Sequence, residues 1–387
     1  MSTGIDPSSD LVARIIAMHG SAQLRAVADD AATYRFQVLL GTIGASGQLQ
    51  LHGFRCGAEY IYPASTVKLA SAVAALVEID HIRSRDIPIT ADTSFRLHPV
   101  FADQRLEAAD ATNIVTGMLS VAHEIRKVML VSDNPAHNRL IAIPGVAQLH
   151  RTLSSLGLHD ARLFHRLSEA RAPEENLKTG RVDFIADTGD VIATFPQRTS
   201  PPLPAPAPVP STLVGCCHTT DTGTVDGPMD FARKNHLSLP EMQRLLAMIA
   251  RPDLSIDGQP IGDGAISREH RKLLCTAMGL LPRQSSNPVY DASEFPDHFV
   301  KFILPGLARV IDPADARCLN KVGQAYGFSI DNGYFFDARR GLPFFMSAAI
   351  FTCAGGNIGS EQYEYPLAEA VLADLGHAVA KELWAAK

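Results

Sequence analysis

The sequence lacks any apolar run long enough to cross a bilayer. Its longest, around Phe344–Cys353, is about half of the ~20 residues a spanning helix requires. It also lacks a basic excess: 35 Lys and Arg stand against 41 Asp and Glu, for a formal net charge of −6. That balance argues against a general nucleic-acid binder, which carries a positive field. The opening residues, MSTGIDPSSDLVARIIAMHG, have no basic n-region, and Arg14 interrupts their only apolar stretch, so no signal peptide is visible. There is no C-x-x-C spacing. Six cysteines (Cys56, Cys216, Cys217, Cys275, Cys318 and Cys353) are scattered through 387 residues and read as free thiols, not a disulfide framework. Cys216-Cys217-His218 has no second Cys/His pair at finger-like spacing, and His159 and His165 lack a third partner, so neither is read as a metal site. No Walker-type glycine loop, G-x-S-x-G elbow or H-E-x-x-H occurs, and no cofactor is expected.

What the chain has is bulk and pattern. With 46% apolar residues it can bury one large core or two of ordinary size. Asp10–Met18 reads as a first helix, and in Tyr34–Leu40 the residues Phe36, Val38 and Leu40 fall on one face at period two, a strand signal. Near the other end, Gln324–Ile330 and Tyr334–Asp337 flank Asp331-Asn332-Gly333, which reads as a hairpin turn, and Phe344–Thr352 follows as a further strand. Pro366–Trp384 repeats Leu367, Val371, Leu375, Val379 and Leu383 every four residues, giving a helix with one apolar stripe to lay on that sheet. Between these ends the periodicity is helical: Ser65–Ile79, Glu124–Leu130, Asn134–Ile141, Val146–Leu156 and Leu239–Ile249. The expected architecture is α/β. An antiparallel sheet flanked by N- and C-terminal helices forms one lobe (residues 10–60 and 300–387), and an all-helical lobe spans 61–299 within a single domain. Pro196–Pro210 holds seven prolines and is expected as a surface insertion that supplies no strand.

Three short motifs carry chemistry. Ser65-Thr66-Val67-Lys68 opens a predicted helix just after Pro63, and a spacing of three puts Ser65 and Lys68 on one face. A serine hydroxyl attacks poorly until a base takes its proton, and a lysine with a lowered pKa can be that base. Ser132-Asp133-Asn134 lies between two predicted helices and could alone be a helix N-cap. Lys321-Val322-Gly323 stands before a predicted strand, followed by Gln324-Ala325-Tyr326-Gly327.

Taken together and in this order, S-x-x-K, S-D-N and a K-x-G strand resemble the signature of class A β-lactamases and penicillin-binding proteins. The resemblance runs roughly from Tyr34 to Leu383 and implies the β-lactamase/transpeptidase-like fold. It implies that Ser65 is acylated, that Lys68 accepts or relays its proton, and that Ser132 passes a proton to the leaving nitrogen. Asn134 then binds the substrate amide and Lys68, while Lys321 holds Ser132 and favours an anionic group. The resemblance also implies an oxyanion hole formed by the backbone N–H groups of Ser65 and Gln324. Asn138 matches a family asparagine that steadies the loop bearing the deacylating acid. That loop departs from the family's E-x-x-L-N: it reads RLFHRLSEARAPEENLKTG and offers Glu169, Glu174 and Glu175. The third motif departs too, with Val322 where a hydroxyl is usual before Gly323.

The resemblance therefore implies a serine hydrolase of small molecules, with β-lactams leading and no nucleic-acid partner. A D-alanyl peptidase or esterase of the same fold stays open, although Ser132 in place of tyrosine disfavours the class C branch. A penicillin-binding or sensing protein with little turnover also stays open. The resemblance implies periplasmic or secreted placement.

Overall fold

The computed structural model describes residues 5–6, 10–205, 211–262 and 264–384. Its contacts gather into two compact units: Met1–Thr66 with Ala207–Asp263 and Lys301–Lys387, and Val67–Pro206 with Gly264–Val300.

The first unit is built on a six-stranded sheet in the order Ile5–Asp6, Leu49–Phe54, Gln37–Ile43, Pro343–Phe351, Phe328–Asp337, Ala316–Ala325. All its pairs are antiparallel except the first. The helix Tyr365–Trp384 lies against Leu11–His19 and the strand Phe328–Asp337, burying Val371, Leu375, Val379 and Trp384. Both helices, and the strands 37–43 and 343–351, fall within a few residues of the expected positions.

Asp331-Asn332-Gly333 does not turn. It runs through the middle of the strand Phe328–Asp337, and the hairpin reverses at Tyr326-Gly327 instead, where both residues are left-handed (φ 54° and 80°). Two consecutive positive φ values are what a tight two-residue hairpin demands. The polar triplet survives in a covered strand because its groups find partners on both faces. Asp331 accepts from the Asn320 amide (2.7 Å) and the Ile303 N–H (3.0 Å). Asn332, pointing the other way, donates to the Met242 carbonyl (3.1 Å) and accepts from Ser347 Oγ (2.7 Å). Gly333 leaves room for the Phe335 ring, which a Cβ would meet at 2.3 Å.

Residues Ala207–Asp263 belong with this sheet and not with the helical lobe expected over 61–299. The helix Leu239–Ala250 buries Leu245, Leu246 and Ile249, and Gln243 donates to the Leu39 carbonyl (2.9 Å), so its apolar side is spent on the sheet.

The second unit holds the helices Val67–Arg83, Val121–Val131, Asn134–Ala142, Val146–Ser155 and Arg268–Gly279. Val67–Arg83 is buried nearly all round, with Ala70, Ala72, Ala74 and Ala75 allowing close approach by its neighbours. To the expected helices the structure adds a three-stranded sheet of Ser94–Leu97, Val182–Ile185 and Val191–Phe195. The proline-rich segment does contribute a strand. Arg198–Thr199 pairs with Lys178–Thr179, and the Arg198 guanidinium donates to the carbonyls of Ala142 and Ile143 at 2.8 Å. The four residues between Pro196 and Pro201 keep their N–H groups, which is enough for this short pairing. Pro206–Pro210 lie outside the described residues. No helix among the described residues is long and apolar enough to cross a membrane.

Candidate active site

In the second unit the S-D-N segment is the joint between two helices. Val121–Val131 ends at Ser132, which takes a left-handed conformation (φ 60°) and donates its N–H to the Lys127 carbonyl. Asp133 then caps the next helix, accepting the Ala136 N–H at 2.6 Å, with Pro135 in the first turn. A non-glycine residue at positive φ costs about 1 kcal/mol or more. Here the strained turn directs the Ser132 side chain to the Lys68 amine.

Lys68 lies one residue into the helix Val67–Arg83 and is fully buried. Its Nζ donates to the Ser132 carbonyl, to Ser132 Oγ (3.1 Å) and to Asn134 Oδ1 (2.6 Å). Burial lowers its pKa from 10.5 to about 7, and the nearby Asp133 carboxylate opposes the shift only in part. A substantial share of the amine is therefore neutral near pH 7. Behind it, Ser71 Oγ donates to the Lys68 carbonyl (2.9 Å) and meets His137 Nδ1 at 2.8 Å. Neither Ser71 nor His137 was singled out in the sequence, where both read as ordinary helix positions.

The loop after residue 160 is pinned by Asn138. Its amide brackets the Leu167 backbone, accepting the N–H and donating to the carbonyl, each at 3.0 Å. Of the three candidate acids, Glu169 is engaged by Arg171 (2.8 Å) and Gln104 (3.1 Å), with Arg166 at 3.7 Å and Asn138 at 3.4 Å. Glu175 caps the short helix Pro173–Asn176 by accepting the Ala172 N–H (2.9 Å), and Glu174 is exposed on that turn. The loop residue that does reach the lysine cluster is Ser168: Asn134 Nδ2 donates to its Oγ at 2.6 Å. Sequence reasoning missed it, because a lone serine in a loop carries no pattern. His159 and His165 bond locally, to Ser154 Oγ and the Arg166 carbonyl.

In the first unit Ser65 sits in the 3₁₀ turn Ala64–Thr66, which feeds directly into the helix that starts at Val67. The turn is closed by the Thr66 N–H (3.0 Å) and hydroxyl (2.7 Å), both donating to the Pro63 carbonyl. Beneath it the rings of Tyr62, Phe231 and Tyr326 pack with centroids 5.5 Å apart. Ala316–Ala325 is the outermost strand of the sheet, and its Gly323 lies against this turn. A Cβ at Gly323 would stand 2.4 Å from the Pro63 carbonyl oxygen and 2.9 Å from the Ser65 nitrogen. Only glycine lets the strand come so near, which brings the backbones of Ser65 and the Gly323–Gln324 peptide together. The Gln324 side chain donates to Ser329 (3.2 Å) and Glu369 (3.1 Å). Lys321 and Val322 are buried on the same strand, with Lys321 Nζ donating to the Val322 carbonyl at 2.8 Å.

Residues 23–194 match the model of the Beta-lactamase enzyme family (Beta-lactamase2), a span that contains Ser65, Lys68, Ser132 and Asn134 and stops before Lys321. No curated protein sequence matches the chain. Among solved structures, a β-lactamase from Burkholderia vietnamiensis is similar at 15% identity and TM-score 0.51, over 96% of this chain and 99% of that one. One from Desulfarculus baarsii matches at 18% identity and TM-score 0.50, over 97% and 99%. One from Xanthomonas campestris pv. campestris does so at 18% and 0.50, over 93% and 97%. At these identities the likeness is one of fold. The chain thus has the β-lactamase fold, and its residues 23–194 resemble the β-lactamase family.

Proposed function

We propose that the chain is a serine hydrolase working through an acyl-enzyme, with Ser65 as nucleophile and β-lactams as the leading substrate class. One observation carries the reading: three residues after Ser65 lies a buried amine, held by Ser132 and Asn134 and close to half neutral at pH 7. Such an amine can take the Ser65 proton as the oxygen attacks the substrate carbonyl. Ser132, in hydrogen-bond contact with Lys68, hands a proton to the departing nitrogen. The N–H groups of Ser65 and Gln324 receive the oxyanion, and Lys321 attracts an anionic substrate group.

A second reading, a penicillin-binding or sensing protein that acylates and turns over slowly, is favoured by one specific feature. Glu169 is held by Arg171 and Gln104, and Glu175 caps its own short helix, so both carboxylates are tied to other groups. Labelling with a fluorescent penicillin separates the readings. A hydrolase shows a label that forms and clears, a sensor shows one that persists, and a protein that never labels supports neither.

A further inference from the structure

The loop that carries the deacylating acid in the resemblance brings a hydroxyl, not a carboxylate, to the lysine cluster. Asn134 orients its amide with Oδ1 toward Lys68 (2.6 Å) and Nδ2 toward Ser168 Oγ (2.6 Å), so the two contacts fix one another. Ser168 holds a left-handed backbone (φ 53°), a conformation sustained by the Asn138 bracket on Leu167 and the Glu169–Arg171 ion pair on either side. Neighbouring residues are thus spent on placing this one. Ser168 is solvent-exposed, and beside it lies a cavity of about 230 Å³ whose walls include Gln104, Asn138, Ser168 and Glu169. Its walls are mixed, with Leu97, Pro99, Val100 and Leu167 beside those polar groups, and Lys68 is not among them.

We infer that hydrolysis of the acyl-enzyme uses Lys68 as its base, with Ser168 as the positioning residue that acts through Asn134 and with Glu169 serving only to latch the loop. The inference rests on the proposed acylation of Ser65. In the step, a water oxygen attacks the acyl carbonyl carbon and its proton passes to the neutral Lys68 amine. The tetrahedral intermediate then expels Ser65 Oγ, which recovers that proton from Lys68, releasing the carboxylic acid and the free enzyme. Atoms and charge balance without any other reactant. The amine is available because burial has already lowered its pKa. Asp133 is the charged group that faces it, and His137 stands behind it across Ser71. Without Ser168 the Asn134 amide can rotate, and the amine loses the partner that fixes its direction.

Stopped-flow measurement with a chromogenic cephalosporin resolves acylation from deacylation in the full chain. Ser168→Ala is expected to slow both steps that use Lys68, deacylation by tenfold or more, and Ser168→Thr, which keeps the hydroxyl, to recover most of the loss. The wild-type deacylation rate is expected to rise with pH through about 7, and Glu169→Gln to leave that inflection in place. Deacylation in Ser168→Ala equal to wild type overturns the inference, as does loss of deacylation with loss of the inflection in Glu169→Gln. Failure of the wild-type protein to form any adduct overturns the proposed acylation itself, a result distinct from both.

Discussion

Replacing Lys68 by methionine separates the two consequences of burying an amine. The side chains have similar length, but methionine needs no solvation. A pKa lowered from 10.5 to about 7 means that the charged form is disfavoured in the folded chain by about 5 kcal/mol. Below pH 7 both folded and unfolded lysine are protonated and the cost is felt in full. Between pH 7 and 10.5 the unfolded chain binds the proton that the folded chain has lost, so wild-type stability rises with pH by about 1.4 kcal/mol per unit. Methionine has no such segment. Against this gain, the variant leaves the Ser132 carbonyl, Ser132 Oγ and Asn134 Oδ1 without their donor, at about 1 kcal/mol each. The net expectation is a variant more stable than wild type by about 2 kcal/mol at pH 6, with the advantage gone or reversed by pH 9, and with no acylation at any pH. In wild type the acylation rate should climb through a midpoint near pH 7, falling about tenfold per unit below it. Denaturant unfolding at pH 6, 7.5 and 9, paired with acylation rates, makes the test. Unfolding midpoints that move in parallel with pH for both proteins, or acylation that persists in the methionine variant, would refute the reasoning.

Two further expectations concern the edge strand. Val322→Thr restores a hydroxyl where the resemblance places a contact to the substrate carboxylate. A hydrogen bond to a charged group is worth roughly 1.5–3 kcal/mol, so kcat/KM for a penicillin should rise about tenfold or more while that for a neutral ester stays put; equal changes for both would show that Val322 does not set the preference. Gly323→Ala drives a Cβ to 2.4 Å from the Pro63 carbonyl oxygen, so strand and turn must part; acylation should fall at least tenfold with far-UV circular dichroism unchanged, and wild-type rates would show that the close approach is dispensable.

The elements at the two ends of the chain were legible because their patterns are local. The four-residue apolar repeat of 366–384 and the alternation in 34–40 each describe one face against one core, and both elements form close to where the pattern puts them. Asp331-Asn332-Gly333 misled because turn chemistry and a buried polar strand use the same residues. What decides is whether Asn320, Ile303, Met242 and Ser347 supply partners, which sequence cannot show. The same limit hid the place of Leu239–Ala250, whose helix was evident and whose unit was not. At the site, Lys68, Ser132 and Asn134 were readable as motifs and are gathered by hydrogen bonds. The roles of Glu169 and Ser168 were not, because they depend on which loop residue the Asn138 bracket leaves facing Asn134.

The central claim is that Ser65 carries the acyl group, and intact-mass spectrometry with peptide mapping tests it most directly. Mixed with a penicillin and quenched in acid within seconds, the wild-type chain should gain the mass of one ring-opened penicillin, mapped to the peptide containing Ser65. Ser65→Ala, with its fold retained, should gain nothing. An adduct of equal yield on Ser65→Ala, mapped to another side chain, would contradict the account.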